Sequence, residues 1–228
     1  MKSPRSLQQL VEHQMKRWEV EHRASYPRPG GAPCVALSRH AGSGGEMIAQ
    51  QVAEWLDYGL FDKDIVEQVA RERHVQRELV AGLDEKVADA IHRYVTDSFR
   101  SRAFSESDYL RGLIQVITTL GQRGMAVIVG RGAACILPPD RALRVLVTAP
   151  RAVRVERFAK EHSIPVSDAT DRVDRIDSVR SEFARFQFGV DPDESTLYDL
   201  VINSEHLLGE AAARVIVEAL RRRFPSEN

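Results

Sequence analysis

One stretch constrains this chain more than any other. Cys34-Val35-Ala36-Leu37-Ser38 is a short apolar run, and Ala41-Gly42-Ser43-Gly44-Gly45 follows almost at once. Ile48, Val52, Trp55 and Leu56 then recur at the spacing of one helix face. A buried strand, a glycine turn and an amphipathic helix in that order open a nucleotide-type α/β domain. Further strand signals stand at 58–61, 126–129, 143–148 and 200–203. Helical patterns fill the gaps at 64–73, around 87–98 and 110–120, through the charged segment 150–190, and at 208–224. Apolar strands separated by helices predict a parallel sheet covered on both faces, hence a three-layer α/β domain of about five strands.

Residues 1–31 stand outside this pattern. Ser6 and Gln9 are spaced as a capping box, and Leu7, Leu10, Val11, Met15 and Trp18 share one side of a helix. Tyr26-Pro27-Arg28-Pro29-Gly30-Gly31 reads as a linker. The expected organisation is a helical extension over 1–31 and a single domain over 32–228. The narrow apolar stripe predicts docking on the domain or on a second copy, so a homodimer contact through this helix is expected.

Charge excludes some partners. Lys and Arg number 32 against 33 Asp and Glu, a net charge of −1, which is unsuited to coating nucleic acid or a membrane. No apolar run approaches the ~18 residues of a membrane span. Glu12, Glu19 and Glu21 mark the N-terminus as neither secretory signal nor transit peptide. The two cysteines, Cys34 and Cys135, lie in apolar stretches and read as structural thiols of a reducing cytoplasm. The seven histidines are scattered without metal-ligand spacing, so no protein metal site is expected. His40, in the glycine turn, has two readings, a donor to phosphate and an incidental loop histidine, His162 and His206 have no partner pattern, and Trp18 and Trp55 read as packing residues.

Three features carry chemistry. The glycine turn brings backbone N–H groups to a helix N-terminus, which favours an anion. Val127-Ile128-Val129-Gly130-Arg131-Gly132 ends an apolar strand in an arginine between glycines, where open α/β sheets bind ligands. The segment with Arg151, Arg154, Arg157, Arg172, Asp174, Arg175, Asp177 and Arg180 is either a solvated helix face or an arginine-rich lid over phosphates.

Together these features resemble the cytidylate kinase-like branch of the P-loop nucleoside monophosphate kinases, from Cys34 to about Leu220. Ser38-Arg39-His40-Ala41-Gly42-Ser43-Gly44-Gly45-Glu46 is similar to its variant phosphate loop. Leu60-Phe61-Asp62-Lys63-Asp64-Ile65-Val66 resembles the segment after its second strand, and Gly130-Arg131-Gly132-Ala133 its Gly-Arg motif. Asp174-x-x-Asp177-Ser178-x-Arg180 resembles the lid signature, and Tyr198-Asp199-Leu200-Val201-Ile202-Asn203 the strand near the adenine site. The resemblance implies a lid at about 160–190 and phosphoryl transfer from ATP, with Mg²⁺, to CMP, dCMP or a related monophosphate. It implies Arg157, Arg175 and Arg180 as catalytic arginines. Arg39, Gly42, Ser43, Gly44 and Gly45 would form the phosphate loop, and Asp62, Arg131 and Asp177 would contact substrate.

The departures are specific. A Walker loop reads G-x-x-x-x-G-K-S/T. With Gly44 as its last glycine, this chain has Arg39 for the first glycine, Gly45 for the lysine and Glu46 for the hydroxyl residue. Glu46 adds a negative charge in the first helical turn, where it competes with an anion. Gly132 stands where cytidylate kinases carry Asp, and Val173 where their lid often has another Arg. Arg39 replaces the lysine only if its side chain turns back into the loop. Asp62 has two further readings, holding Mg²⁺ through water and capping the next helix. A nucleotide-binding regulatory or scaffold protein on a kinase-like fold is the alternative function.

Overall fold

The computed structural model describes residues 32–71, 89, 91–93, 95–96 and 108–225. The extension 1–31 lies outside the described residues, as does half of the segment around 87–98.

Five strands form one sheet: β1 (Cys34–Arg39), β2 (Gly59–Phe61), β3 (Ala126–Val129), β4 (Ala142–Thr148) and β5 (Leu200–Asn203). Their order is β2-β3-β1-β4-β5, and every pairing is parallel. Val35 sits opposite Val127 on one side and Leu143 on the other. The strand that feeds the glycine turn is therefore central. The turns after β1 and β3 emerge side by side at the C-terminal edge, which brings Arg131 to the same edge as Gly44.

Alternation along the strands sorts the core into two layers. Cys34, Ala36, Ala126 and Ile128 pack with Leu110, Leu113, Ile114 and Ile117 of α3 (Asp108–Arg123). Val35, Leu37, Val127 and Val129 pack with Ile48 and Val52 of α1 (Gly45–Leu56), and with Ile216 and Leu220 of α7 (Glu210–Arg223). Each fully buried Leu or Ile contributes roughly 1.5–3 kcal/mol. Burial also pushes the Cys34 thiol up to about 12 and Cys135 to about 11, which leaves both as inert packing groups.

The remaining helices are α2 (Lys63–Arg71), the short α4 (Ala133–Ile136), α5 (Arg151–His162) and α6 (Val166–Phe188). The charged segment is thus two helices. Ser163 ends α5 in the left-handed conformation at φ 53°, and Pro165 precedes the first turn of α6. Ala169 and Val173 root α6 against Val155, Phe158 and Ala41, so its first half has its own small core. Trp55 differs from its packing assignment: it is 39% exposed, with the Arg214 guanidinium 5.3 Å from its ring centroid. It lies at the margin of the apolar stripe centred on Ile48 and Val52, where a large ring stays half in water. Among the described residues no helix is long and apolar enough to cross a membrane.

Candidate active site

A cleft of about 460 Å³ opens at the C-terminal edge of the sheet, between the end of β1, the turn after β3 and helix α6. Arg39, Lys63, Arg131, Arg175 and Arg180 line it, against the carboxylates of Asp177 and Asp193. Ile176, Val179 and Phe183 give α6 an apolar wall between its arginines.

Arg39 explains the altered loop. Its side chain turns back over the start of α1 and is only 8% exposed. A Cβ on Gly45 would come within 2.5 Å of Arg39 Cβ, and one on Gly130 within 2.4 Å of its Nη1. The Walker lysine position is therefore glycine because an arginine from the preceding strand runs through that space. Arg39 Nε and Nη2 donate to Glu46 Oε1 at 3.1 and 2.9 Å. Arg180 reaches the same place from α6, donating from Nη1 to the Arg39 carbonyl at 3.0 Å, with Nη2 3.6 Å from Glu46 Oε1.

Arg131 is itself left-handed at φ 51°, between Gly130 at 77° and Gly132 at 72°. This coil turns its guanidinium toward Glu67 of α2 and places it 5.5 Å from the Phe183 ring centroid. Its buried Nε has no hydrogen-bond partner among the described residues. A Cβ on Gly132 would meet the Phe188 ring at 2.2 Å, which is why Asp does not fit there.

The electrostatics point one way. Burial first, then the Arg39 charge, pull Arg180 down to about 10 and lower Arg131. Glu46 and Asp177 offset only part of this at Arg180. Three guanidiniums held close in a poorly solvated cleft repel one another, and an incoming polyanion relieves that repulsion.

A second network fixes the loop from below. Arg154 of α5 is 8% exposed and donates to the Ala149 and Ala41 carbonyls, each at 3.0 Å, and to Asp177 Oδ2 at 2.6 Å. Asp177 Oδ1 accepts the Ala41 N–H at 2.8 Å. Ser43 Oγ donates to the His40 carbonyl, and Ser204 Oγ donates to the Ser43 carbonyl at 2.7 Å. Arg157 donates to the Ser204 and Glu205 carbonyls, both at 3.0 Å.

The sequence-derived residues therefore divide. Arg39, Arg131, Arg175, Asp177 and Arg180 line the cleft. Gly42, Ser43, Gly44 and Gly45 form the adjoining turn but are not in the lining. Arg157 is also outside the lining, spent on the segment after β5. The Asp177 carboxylate is committed to Ala41 and Arg154. Asp62 is not in the lining, and its Oδ1 accepts the Asp64 N–H at 3.0 Å, capping α2. Arg175 is exposed and has no hydrogen-bond or ion-pair partner among the described residues. The sequence places Arg154 in the charged segment beside Arg157 but does not show that it holds the glycine turn. Sequence reasoning missed Lys63 in the lining and the work of His40, whose ring nitrogens lie 2.8 Å from Thr148 Oγ1 and from Asp193 Oδ1.

The model of the cytidylate kinase-like family matches residues 34–206. The chain belongs to that family. This cytidylate kinase-like protein is 28% identical over 192 residues to a cytidylate kinase from Aeropyrum pernix, an alignment covering 82% of this chain and 98% of that one. It is 30% identical over 177 residues to a cytidylate kinase from Methanopyrus kandleri, covering 75% and 83%. A crystal structure of an uncharacterized protein from Eubacterium ventriosum shares the fold, with a TM-score of 0.62 and 18% identity over 82% of this chain and 98% of that one. The matched span includes the rewired loop, the Gly-Arg turn and all of α6.

Proposed function

We propose that this cytidylate kinase-like protein moves the terminal phosphoryl group of ATP to CMP, dCMP or a related nucleoside monophosphate. The observation that carries the reading is the cluster of Arg39, Arg131 and Arg180 in one cleft at the edge where α/β sheets bind ligands. In the transfer, the bond from the γ-phosphorus to the bridging oxygen breaks, and a new one forms to a phosphate oxygen of the acceptor. Charge on the transferred group is the main thing the protein has to stabilise. Arg39 stands in for the Walker lysine, Arg180 adds a second guanidinium from α6, and Arg131 and Arg175 face the acceptor phosphate. Helix α6 is the lid of this reading, its first half packed on Val155 and Phe158 and its C-terminal end on the main core through Phe188.

Mg²⁺ enters this reading with ATP, as the counter-ion of its phosphates. The chain itself supplies a poor cage: among the described residues no group of three His, Cys, Asp or Glu could hold a metal ion. Glu46, at the hydroxyl position, is held by Arg39. We assign the protein to the cytoplasm, and the extension 1–31 to a contact between two copies.

The internal Arg39–Glu46 pair favours a second reading, a nucleotide-binding regulatory protein with weak or no transfer. A coupled assay with ATP, Mg²⁺ and CMP separates the two, and turnover supports the kinase. No transfer to any common monophosphate, combined with a thermal shift on adding ATP or CMP, supports the regulatory protein. A ligand at a hundred times its dissociation constant stabilises by about 2.7 kcal/mol, which a melt detects.

A further inference from the structure

Among the described residues, Glu46 is the loop anion that two cleft-lining guanidiniums share. Its Oε1 accepts both Arg39 bonds and lies 3.6 Å from Arg180 Nη2. Its side chain is nevertheless 67% exposed, whereas that of Arg39 is 8% exposed. The arginine is fixed by packing between Gly45 and Gly130, whereas the carboxylate it holds stands largely in water. A hydrated anion resting on a packed cation is what a competing ligand displaces most easily.

We propose that Glu46 is a built-in competitor for the donor phosphates: it occupies Arg39 and Arg180 in the empty protein and is expelled by a polyphosphate. The proposal rests on the reading of the cleft as a phosphate site. A phosphate that takes the Arg39 Nε and Nη2 donors displaces the two Glu46 bonds, so the carboxylate sets a threshold that weakens binding. The threshold is modest, because an ion pair with one well-hydrated partner is worth at most ~1 kcal/mol, which is about fivefold in affinity. Expulsion leaves Glu46 in the first turn of α1, a position that tolerates negative charge through the helix dipole.

Calorimetry with inorganic tripolyphosphate, without an acceptor, tests this on the full chain. Glu46→Gln should bind tripolyphosphate about fivefold more tightly than the wild type, with a melting temperature close to it. Glu54→Gln removes the same charge from the far end of α1 and should leave affinity unchanged. In an Arg39→Ala background, Glu46→Gln should bring no gain, because the competition acts through that guanidinium. Equal or weaker binding by Glu46→Gln overturns the proposal. So does a gain that survives Arg39→Ala or appears equally in Glu54→Gln, since either marks a general charge effect. No tripolyphosphate binding by either protein overturns both the competitor and the kinase reading. Normal competition with no transfer to any monophosphate removes the kinase reading alone.

Discussion

Helices α5 and α6 are both rich in arginine, and the fold uses the two sets in opposite ways. On α5, Arg154 spends its donors on Ala149, Ala41 and Asp177, and Arg157 spends its on Ser204 and Glu205. These arginines tie the glycine turn and the segment after β5 to one helix. On α6, Arg175 has no hydrogen-bond or ion-pair partner among the described residues, and Arg180 makes one carbonyl bond and shares Glu46 with Arg39. The first pair is engaged by carbonyls and the Asp177 carboxylate of the scaffold, and the second faces a cleft with donors in reserve. A guanidinium's role follows from who accepts its hydrogens, which its neighbours in sequence do not reveal.

That contrast makes ordered predictions. Arg154→Ala should be the most damaging to stability, by about 3 kcal/mol, because it leaves Asp177 and two carbonyls without a nearly buried partner. Urea unfolding at neutral pH measures it, and a loss below about 1 kcal/mol would place Arg154 with the α6 set. Gly45→Lys should cost about 1–3 kcal/mol, since its Cβ would fall 2.5 Å from Arg39 Cβ. It should also bring no gain in transfer, and a stable variant with faster transfer would show that the lysine's place is empty. Arg157→Ala should cost about 1–2 kcal/mol of stability from orphaned carbonyls, while kcat stays close to wild type. Arg175→Ala should change stability by less than about 0.5 kcal/mol, as an exposed residue without partners does, yet weaken binding of CMP in calorimetry.

Much of the architecture was legible because its signals are local. Apolar runs at 34–38 and 126–129 announce strands buried on both faces, and a glycine turn followed by Ile48 and Val52 announces the first crossover. The short α4 gave no such signal, being a single turn after the coiled Gly130–Gly132. The site was legible only in outline. Arg39, Arg131 and Arg180 stand in recognisable motifs, but Arg39 finds room only because Gly130, far away in the chain, lacks a side chain. Arg157 and Arg175 look alike in sequence and differ in partners from distant segments. His40 looked incidental because Thr148 and Asp193, which hold it, lie beyond any local pattern.

The central claim is that Arg175 and Arg180 of α6 serve phosphate chemistry while Arg154 and Arg157 of α5 serve the scaffold. Steady-state transfer from ATP to CMP by Arg180→Ala and Arg157→Ala, measured side by side, tests it most directly. Arg180→Ala should lose kcat on the order of a hundredfold with little change in KM for ATP, as expected when a group stabilises charge that develops in the transition state. Arg157→Ala should keep its kcat. Equal losses in the two variants, or an Arg180→Ala enzyme with wild-type turnover, would contradict the account.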